Sequence, residues 1–365
     1  MASTVRKVRV RFGATNYALG FIVLFLAVYV LSLGAHIFVP LVIAIFIWYL
    51  INAIARWLAG LGGFGIRIPR LFCFSLSIGL LLLGIYGIFE LIKQNVTQVA
   101  AAAPHYQQNF EAIKPRVMEI LGLDHIPTMS ELVKQIDLAA IIKTSAGIFT
   151  GFTGKTVEVL FLTGFLLYEQ RFFDRKIQNL SNDRKVEDKI RHIIANIDHK
   201  IQRYIGVKTL VSALSGIVTY AILKIAEVDF AAFWGLMAFF LHFIPYVGTF
   251  AAIALPSILT LVQFGDFGTF LSVTLSLSVA LMLIGHILDP RLLGEMLNLS
   301  PICIIISLAV WHTIWGVPGM FLAIPILAII VITLSQFDAT RSIAVLLSKT
   351  GVIEKGLRVK ETDTF

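Results

Sequence analysis

The chain has 365 residues, of which 58% are hydrophobic and only 14% charged, with a mean hydropathy of +0.86. A water-soluble domain of this size is excluded by that balance, and so is a β-barrel, whose strands alternate apolar and polar in segments of about 10 residues. The formal net charge of +8 reads as the excess of Lys and Arg on cytoplasmic loops and tails of a membrane protein, not as a nucleic-acid footprint. The fold expected is all-α: a polytopic transmembrane helical bundle of about eight segments, several near the roughly 20 apolar residues that span a bilayer core.

The N-terminal region, residues 1–93, holds three spans. A basic lead (Arg6, Lys7, Arg9, Arg11) precedes span one, at 16–34. Its apolar run exceeds a usual signal-peptide core and a second span follows directly, so it is read as uncleaved. Span two is 36–58. Arg56, the turn Leu61-Gly62-Gly63-Phe64-Gly65, Arg67 and Arg70 connect it to span three, at 69–92, whose helix is expected to continue toward Pro104. Residues 94–146 form an amphipathic, charge-balanced insert. Phe110, Ile113, Val117, Ile120 and Leu121 recur at helical spacing, and Thr128 with Glu131 forms a capping box. Span four is 147–168.

Residues 169–204 are charged but periodic. Val186, Ile190, Ile193, Ile197, Ile201 and Ile205 make one stripe, with Arg184, Lys185, Lys189, Arg191 and Lys200 opposite. Such a helix lies on the membrane or packs on a partner helix. Span five is 205–224, inside a C-terminal core at 205–340, and 341–365 is a basic tail.

Two apolar stretches in that core, 229–264 and 300–335, are interrupted by Pro245-Tyr246-Val247-Gly248 and by Trp315-Gly316-Val317-Pro318-Gly319, and carry late prolines at Pro256 and Pro325. Their arms, about 15–17 residues or roughly 22–26 Å as helix, fall short of a core of about 30 Å. They are read as hairpins flanking one longer span, 268–288. Basic segments place both termini, 56–70 and 171–203 in the cytoplasm and 94–146 outside, so the first hairpin enters from outside and the second from the cytoplasm. The two share an apolar lead, a histidine (His242, His312), a Gly/Pro break and a late proline. Matched broken segments inserted from opposite sides point to an alternating-access site.

The candidate path is lined by His242, Pro245, Tyr246, Gly248, Gln263, His286, Asp289, Trp315, Gly316 and Gly319. His286 and Asp289, three apart, share a helix face before Pro290 ends or kinks the helix. Together they could relay a proton or hold a cation, or Asp289 could simply pair with Arg291 at the membrane edge. Gln263 could hydrogen-bond a polar solute. The cysteines, Cys73 and Cys303, lie in apolar segments with no metal or disulfide spacing. No nucleophile elbow, P-loop, HExxH or GxGxxG context appears, so neither an enzyme nor a bound cofactor or metal is expected.

Several of these stretches resemble the AI-2E family of bacterial membrane transporters, named for export of the quorum-sensing signal autoinducer-2. They are IPYVG at 244–248 with Pro256, GHILDPRLLG at 285–294, LNLSP at 297–301, and W-x3-WG-x2-G-x5-P ending at Pro325; Asn52 to Arg70 is similar to the family's early turn and basic loop. The family often has asparagine where His286 stands and glycine where His312 stands. The resemblance implies about eight membrane segments, a polar insert after the third and homo-oligomeric assembly in a bacterial inner membrane. Its expected partners are the bilayer and a small polar solute such as autoinducer-2, moved outward with or without proton or sodium coupling. Two other readings stay open: a sodium/proton-type cation antiporter cycling on Asp289, and a non-transporting scaffold built on the 94–146 and 171–204 helices.

Overall fold

The structure, a computed structural model, describes residues 14–60, 69–121, 138–179, 184–293, 297–337 and 339–352. No strand occurs among the described residues; one isolated bridge joins Leu299 to Ser348. Six described helices are long and apolar enough to cross a membrane, and Ala231–Leu241 and Pro301–Trp315 are shorter apolar helices. The chain is thus a multi-pass helical membrane protein, as its composition requires.

α1 (Ala14–Leu33) and α2 (Ala35–Gly60) are separated by Gly34 alone. A Cβ at Gly34 would lie 2.6 Å from the Phe38 ring, so the ring packs over the bare glycine backbone at the junction. α3 is a single helix over Arg70–Leu121, 52 residues or about 78 Å long. The expected span and the start of the polar insert are therefore one rod, continuing through Pro104. α4 covers Leu138–Glu169, nine residues earlier in its start than the expected span. A 3₁₀ turn, Gln170–Phe172, leads to the short α5 (Phe173–Gln178). The capping box at Thr128 and Glu131, the basic lead at 6–11, the turn at 61–65 and the tail beyond 352 lie outside the described residues, as do the side chains of the 110–121 stripe.

The charged segment after 184 and the fifth span are also continuous, as α6 (Arg184–Ile225, 42 residues). The later part of its apolar stripe packs on protein. Ile201, Tyr204 and Ile205 are buried in a core with Leu299, Ile324, Leu327, Ala328, Val331 and Ala344, and Ile197 packs against it. This packing covers the C-terminal part of the stripe, from Ile197 to Ile205. Farther along α6, Lys208, Ser212, Ser215 and Thr219 are buried at a spacing that puts them on one face.

α7 (Ala231–Leu241) crosses α6 with its backbone in close approach. A Cβ on Gly216 would lie 2.7 Å from the Gly235 carbonyl, and one on Gly235 would lie 2.9 Å from that of Gly216. Small residues permit this because dispersion and backbone contact, not hydrophobicity, hold helices together in lipid. α8 (Val247–Phe264) completes the first hairpin. α9 (Phe267–Leu283) passes through a π turn, Ile284–Leu288, into α10 (Asp289–Leu293). The second hairpin is α11 (Pro301–Trp315) and α12 (Val317–Ser335), followed by the short α13 (Arg341–Leu347).

Both expected breaks are present, but the arms are unequal. The leading arms have 11 and 15 residues and the returning arms 18 and 19. Only the leading arms are clearly too short for a core of about 30 Å; the returning ones reach about 27–28 Å.

Candidate functional site

The two breaks use different backbone devices. In the first, Tyr246 adopts φ 62°, ψ −64°, and the Val247 N–H donates to the Pro245 carbonyl at 2.7 Å. That is a γ-turn of the rare positive-φ kind, strained for a residue with a side chain. Tyr246 sits at its apex and is exposed. In the second, Gly316 adopts φ 66°, ψ −144°, a region open only to glycine. Trp315, just before it, is buried, and its indole N–H donates to the Leu31 carbonyl of α1 at 3.0 Å.

Just beyond each break a glycine lies against the end of the leading arm. A Cβ on Gly248 would fall 1.7 Å from the Leu241 carbonyl oxygen, and one on Gly319 2.0 Å from that of Trp311. Leu241 and Trp311 immediately precede His242 and His312, so the weak internal likeness of the two hairpins corresponds to one shared backbone contact. The histidines themselves differ, His242 being buried and His312 exposed.

The turn of the first hairpin meets the arms of the second. The Phe243 and Phe321 rings are 4.5 Å apart between centroids, and Phe46 of α2 stands edge-on to both. Ile244 is buried against Leu308 of α11 and Ala323 of α12, at the seam between the arms of the second hairpin. Ser307 donates across that seam to the Ala323 carbonyl at 3.2 Å.

Beside this contact lies an ion pair inside the bundle. Lys208 Nζ is 2.6 Å from Asp289 Oδ2, and their side chains are 5% and 14% exposed. His242 Nε2 is 3.6 Å from the same oxygen. Among the described residues, neither Asp289 Oδ1 nor His242 Nε2 has a hydrogen-bond partner. Buried charges are retained only when paired, and here the pair joins α6 to α10 while the histidine comes from the first hairpin.

Pro290 explains why Asp289 faces inward. Proline has no N–H to return to the His286 carbonyl; the Asp289 N–H instead reaches back to Ile284, widening the helix into a π turn. Each residue then rotates less than in an α-helix, and the expected common face of His286 and Asp289 is lost. His286 is exposed, with Nδ1 3.3 Å from its own helix's Met282 carbonyl. Arg291 is exposed as well, so the partner of Asp289 is Lys208.

Gln263 lies elsewhere. Its Nε2 donates to the Glu227 carbonyl at 2.9 Å and its Oε1 accepts from the Asp229 N–H at 2.8 Å. It thereby ties the end of α8 to the α6–α7 loop. The extension of α3 docks at the same place: Tyr106 donates to Asp229 Oδ2 at 2.7 Å, and Asn109 donates to the Gln263 carbonyl.

Of the sequence candidates, the structure gathers His242, Pro245, Tyr246, Gly248 and Asp289 around the first hairpin's turn. Trp315, Gly316 and Gly319 form the second turn, while His286 and Gln263 stand apart. Lys208 is the residue the sequence reading missed. Its signal is a lone lysine in the apolar run from Tyr204 to Leu223, where a charge is expensive and needs a partner.

The AI-2E family transporter model matches residues 19–338. The AI-2 transport protein TqsA of Escherichia coli K12 is 29% identical over 328 residues, covering 86% of this chain and 90% of its own length. A presumed transport protein of Borreliella burgdorferi is 25% identical over 358 residues, covering 97% and 95%. The presumed transport protein YhhT of E. coli K12 is 24% identical over 319 residues, covering 86% and 88%.

Proposed function

The chain belongs to the AI-2E transporter family, and on that premise we propose that it is a secondary carrier exporting a small polar solute of the autoinducer-2 kind across a bacterial inner membrane. The observation that carries this reading is the seating of the first hairpin's turn on the second hairpin, Phe243 on Phe321 at 4.5 Å, beside the buried Lys208–Asp289 pair. Broken backbone at membrane depth is tolerated where it is buried in protein or lines a polar cavity. Paired broken segments are the usual frame of an alternating-access site.

In this reading the basic loops lie in the cytoplasm and 94–146 lies outside. The first hairpin enters from outside, the second from inside, and the contact of the first turn with the second hairpin's arms separates the two solutions. Parting the first turn from those arms opens the path on one side at a time. Asp289 Oδ1 and the Ser212 hydroxyl, both buried and without a hydrogen-bond partner among the described residues, supply polar contacts for a neutral solute. The assembly is a homo-oligomer surrounded by lipid, as the resemblance implies.

The test is flux in vesicles reconstituted with the purified protein, using autoinducer-2 and a panel of polar metabolites, with and without ion gradients. Autoinducer-2 flux above protein-free vesicles supports the reading; flux of none of these solutes removes it. The buried Lys208–Asp289 pair favours one rival, a cation/proton antiporter, which predicts pH-dependent cation exchange in the same vesicles with no solute present.

A further inference from the structure

Three ionisable side chains meet at the first hairpin's turn, and only one of them belongs to the hairpin. Lys208 is fixed on α6 and Asp289 on α10, joined at 2.6 Å. His242 stands at the end of α7, one residue before Phe243 and four before the strained apex at Tyr246. Its imidazole is 4% exposed, and its Cε1 lies over Gly285, where a Cβ would be 4.0 Å away. Nε2 points to the carboxylate at 3.6 Å, beyond hydrogen-bond range, and has no partner among the described residues. The carboxylate has spare capacity, because an ionised Asp accepts at about four lone-pair positions and Oδ1 is unoccupied.

We propose that His242 is the proton-binding site through which solute export is coupled to proton movement, with protonation fastening the first hairpin's turn to Asp289. This rests on the reading of that hairpin as the moving part of the carrier. With Nε2 neutral and unprotonated, a lone pair faces a carboxylate and nothing holds the turn to α10. With a proton on Nε2, the imidazolium donates to Asp289 while Lys208 keeps Oδ2, and the turn is held. One proton is taken up from solution and none is passed to Lys208 or Asp289, so the step balances as His + H⁺ → His⁺. The strain at Tyr246 favours departure of the turn once the proton leaves.

A proton fits better than a metal cation here. The proton needs only the Nε2 lone pair, whereas a metal cation needs several ligands, and no group of three His, Cys, Asp or Glu side chains gathers among the described residues. The other groups facing the cluster are few. α6 adds the buried Tyr204 phenol one turn before Lys208; His286 and Arg291, on the helix of Asp289, are exposed; the residues of the second hairpin against Ile244 are apolar.

The test is hydrogen–deuterium exchange of the full-length protein in detergent micelles, reading the segment 242–248 between about pH 5.5 and 7.5, the range in which an imidazole titrates. Rates are corrected for intrinsic exchange. In the wild type, exchange of this segment should slow by at least about tenfold toward the acidic end, the factor a charge-assisted hydrogen bond to a carboxylate supplies. His242→Gln should flatten the profile, Asp289→Asn should flatten it too, and His286→Gln should leave it intact. A flat wild-type profile overturns the proposal, as does a profile that survives in His242→Gln or vanishes in His286→Gln. Should His242→Gln fail to fold, the wild-type, Asp289→Asn and His286→Gln profiles still decide. No solute is used, so this result is separate from vesicle flux: a flat profile with solute flux leaves the carrier and removes its proton site.

Discussion

Adding one methyl group at Gly248 or Gly319 should damage the protein, although the same change normally helps a helix. Both residues are in the first turn of a returning arm, where Gly→Ala gains about 1 kcal/mol in helix propensity. Here the new Cβ would sit 1.7 Å from the Leu241 carbonyl oxygen at Gly248 and 2.0 Å from the Trp311 carbonyl oxygen at Gly319. A carbon–oxygen contact settles at about 3.3 Å, so each hairpin would have to open by more than 1 Å. The obstructing atom is main chain and has no rotamer to change. Forcing a methylene into a packed core costs about 1–3 kcal/mol; with a backbone obstacle the upper end applies, leaving a net loss of about 2 kcal/mol. Gly84 is the control, a helical glycine of α3 whose Cβ would meet nothing within 4 Å. Thermal unfolding of the purified variants in detergent should show Gly248→Ala and Gly319→Ala clearly below wild type and Gly84→Ala at or above it. Vesicle flux should fall in the first two and persist in the third. Gly248→Ala as stable and active as Gly84→Ala would refute the close-approach argument.

Gly316→Ala should cost about 1–3 kcal/mol, because φ 66°, ψ −144° is closed to a residue with a Cβ; an unchanged unfolding midpoint would contradict that backbone geometry. Asp289→Asn leaves the Lys208 ammonium buried without its counterion and should destabilise by about 3–5 kcal/mol. The double variant Lys208→Met/Asp289→Leu should recover most of that loss, and a double variant as unstable as the single would argue against the pair. Tyr106→Phe removes the hydrogen bond to Asp229 and should cost about 1 kcal/mol in thermal stability. Burial first, then that hydrogen bond, raises the Tyr106 phenol above its ordinary value. Its contribution is therefore complete up to the unfolded phenol's pKa of about 10, is lost as pH rises through the higher folded value, and leaves the variant's deficit constant through neutral pH. Cysteines placed at 120 and 190 should react with impermeant thiol reagents from opposite sides of the membrane; labelling of 120 from the cytoplasm would reverse the orientation.

The features legible in the sequence were those set by single residues with strong local preferences. Pro245, Gly248, Gly316 and Gly319 marked both breaks, because no uninterrupted helix accommodates them together. The near absence of a loop between α1 and α2 followed from continuous hydropathy around Gly34. Helix continuity was harder to read. Hydropathy falls at about residue 93 and rises at about 204, yet α3 and α6 run straight on, since a change between lipid and water does not itself end a helix. The site was half legible. Asp289 was visible as a carboxylate at a membrane boundary, but its direction depends on the π turn that Pro290 induces, and that turn separates it from His286. Its partner Lys208 is 81 positions away, beyond any local pattern. Gln263 was read as a hydrogen-bonding group for a polar solute, whereas its amide is taken up by Glu227 and Asp229 through the folding of the α6–α7 loop onto α8.

The central claim is that transport requires the first hairpin's turn to part from the second hairpin. Phe243 and Phe321, whose rings are 4.5 Å apart, provide the handle. With Cys73 and Cys303 replaced by serine, Phe243→Cys and Phe321→Cys are joined by a short bis-methanethiosulfonate linker, which spans the space the two rings fill and is released by reductant. The decisive measurement is autoinducer-2 flux in vesicles carrying this variant, cross-linked and then reduced. The account predicts flux in the reduced protein, its loss on cross-linking and its return on reduction. Equal flux in the cross-linked and reduced states would show that the two hairpins need not separate and would contradict the account.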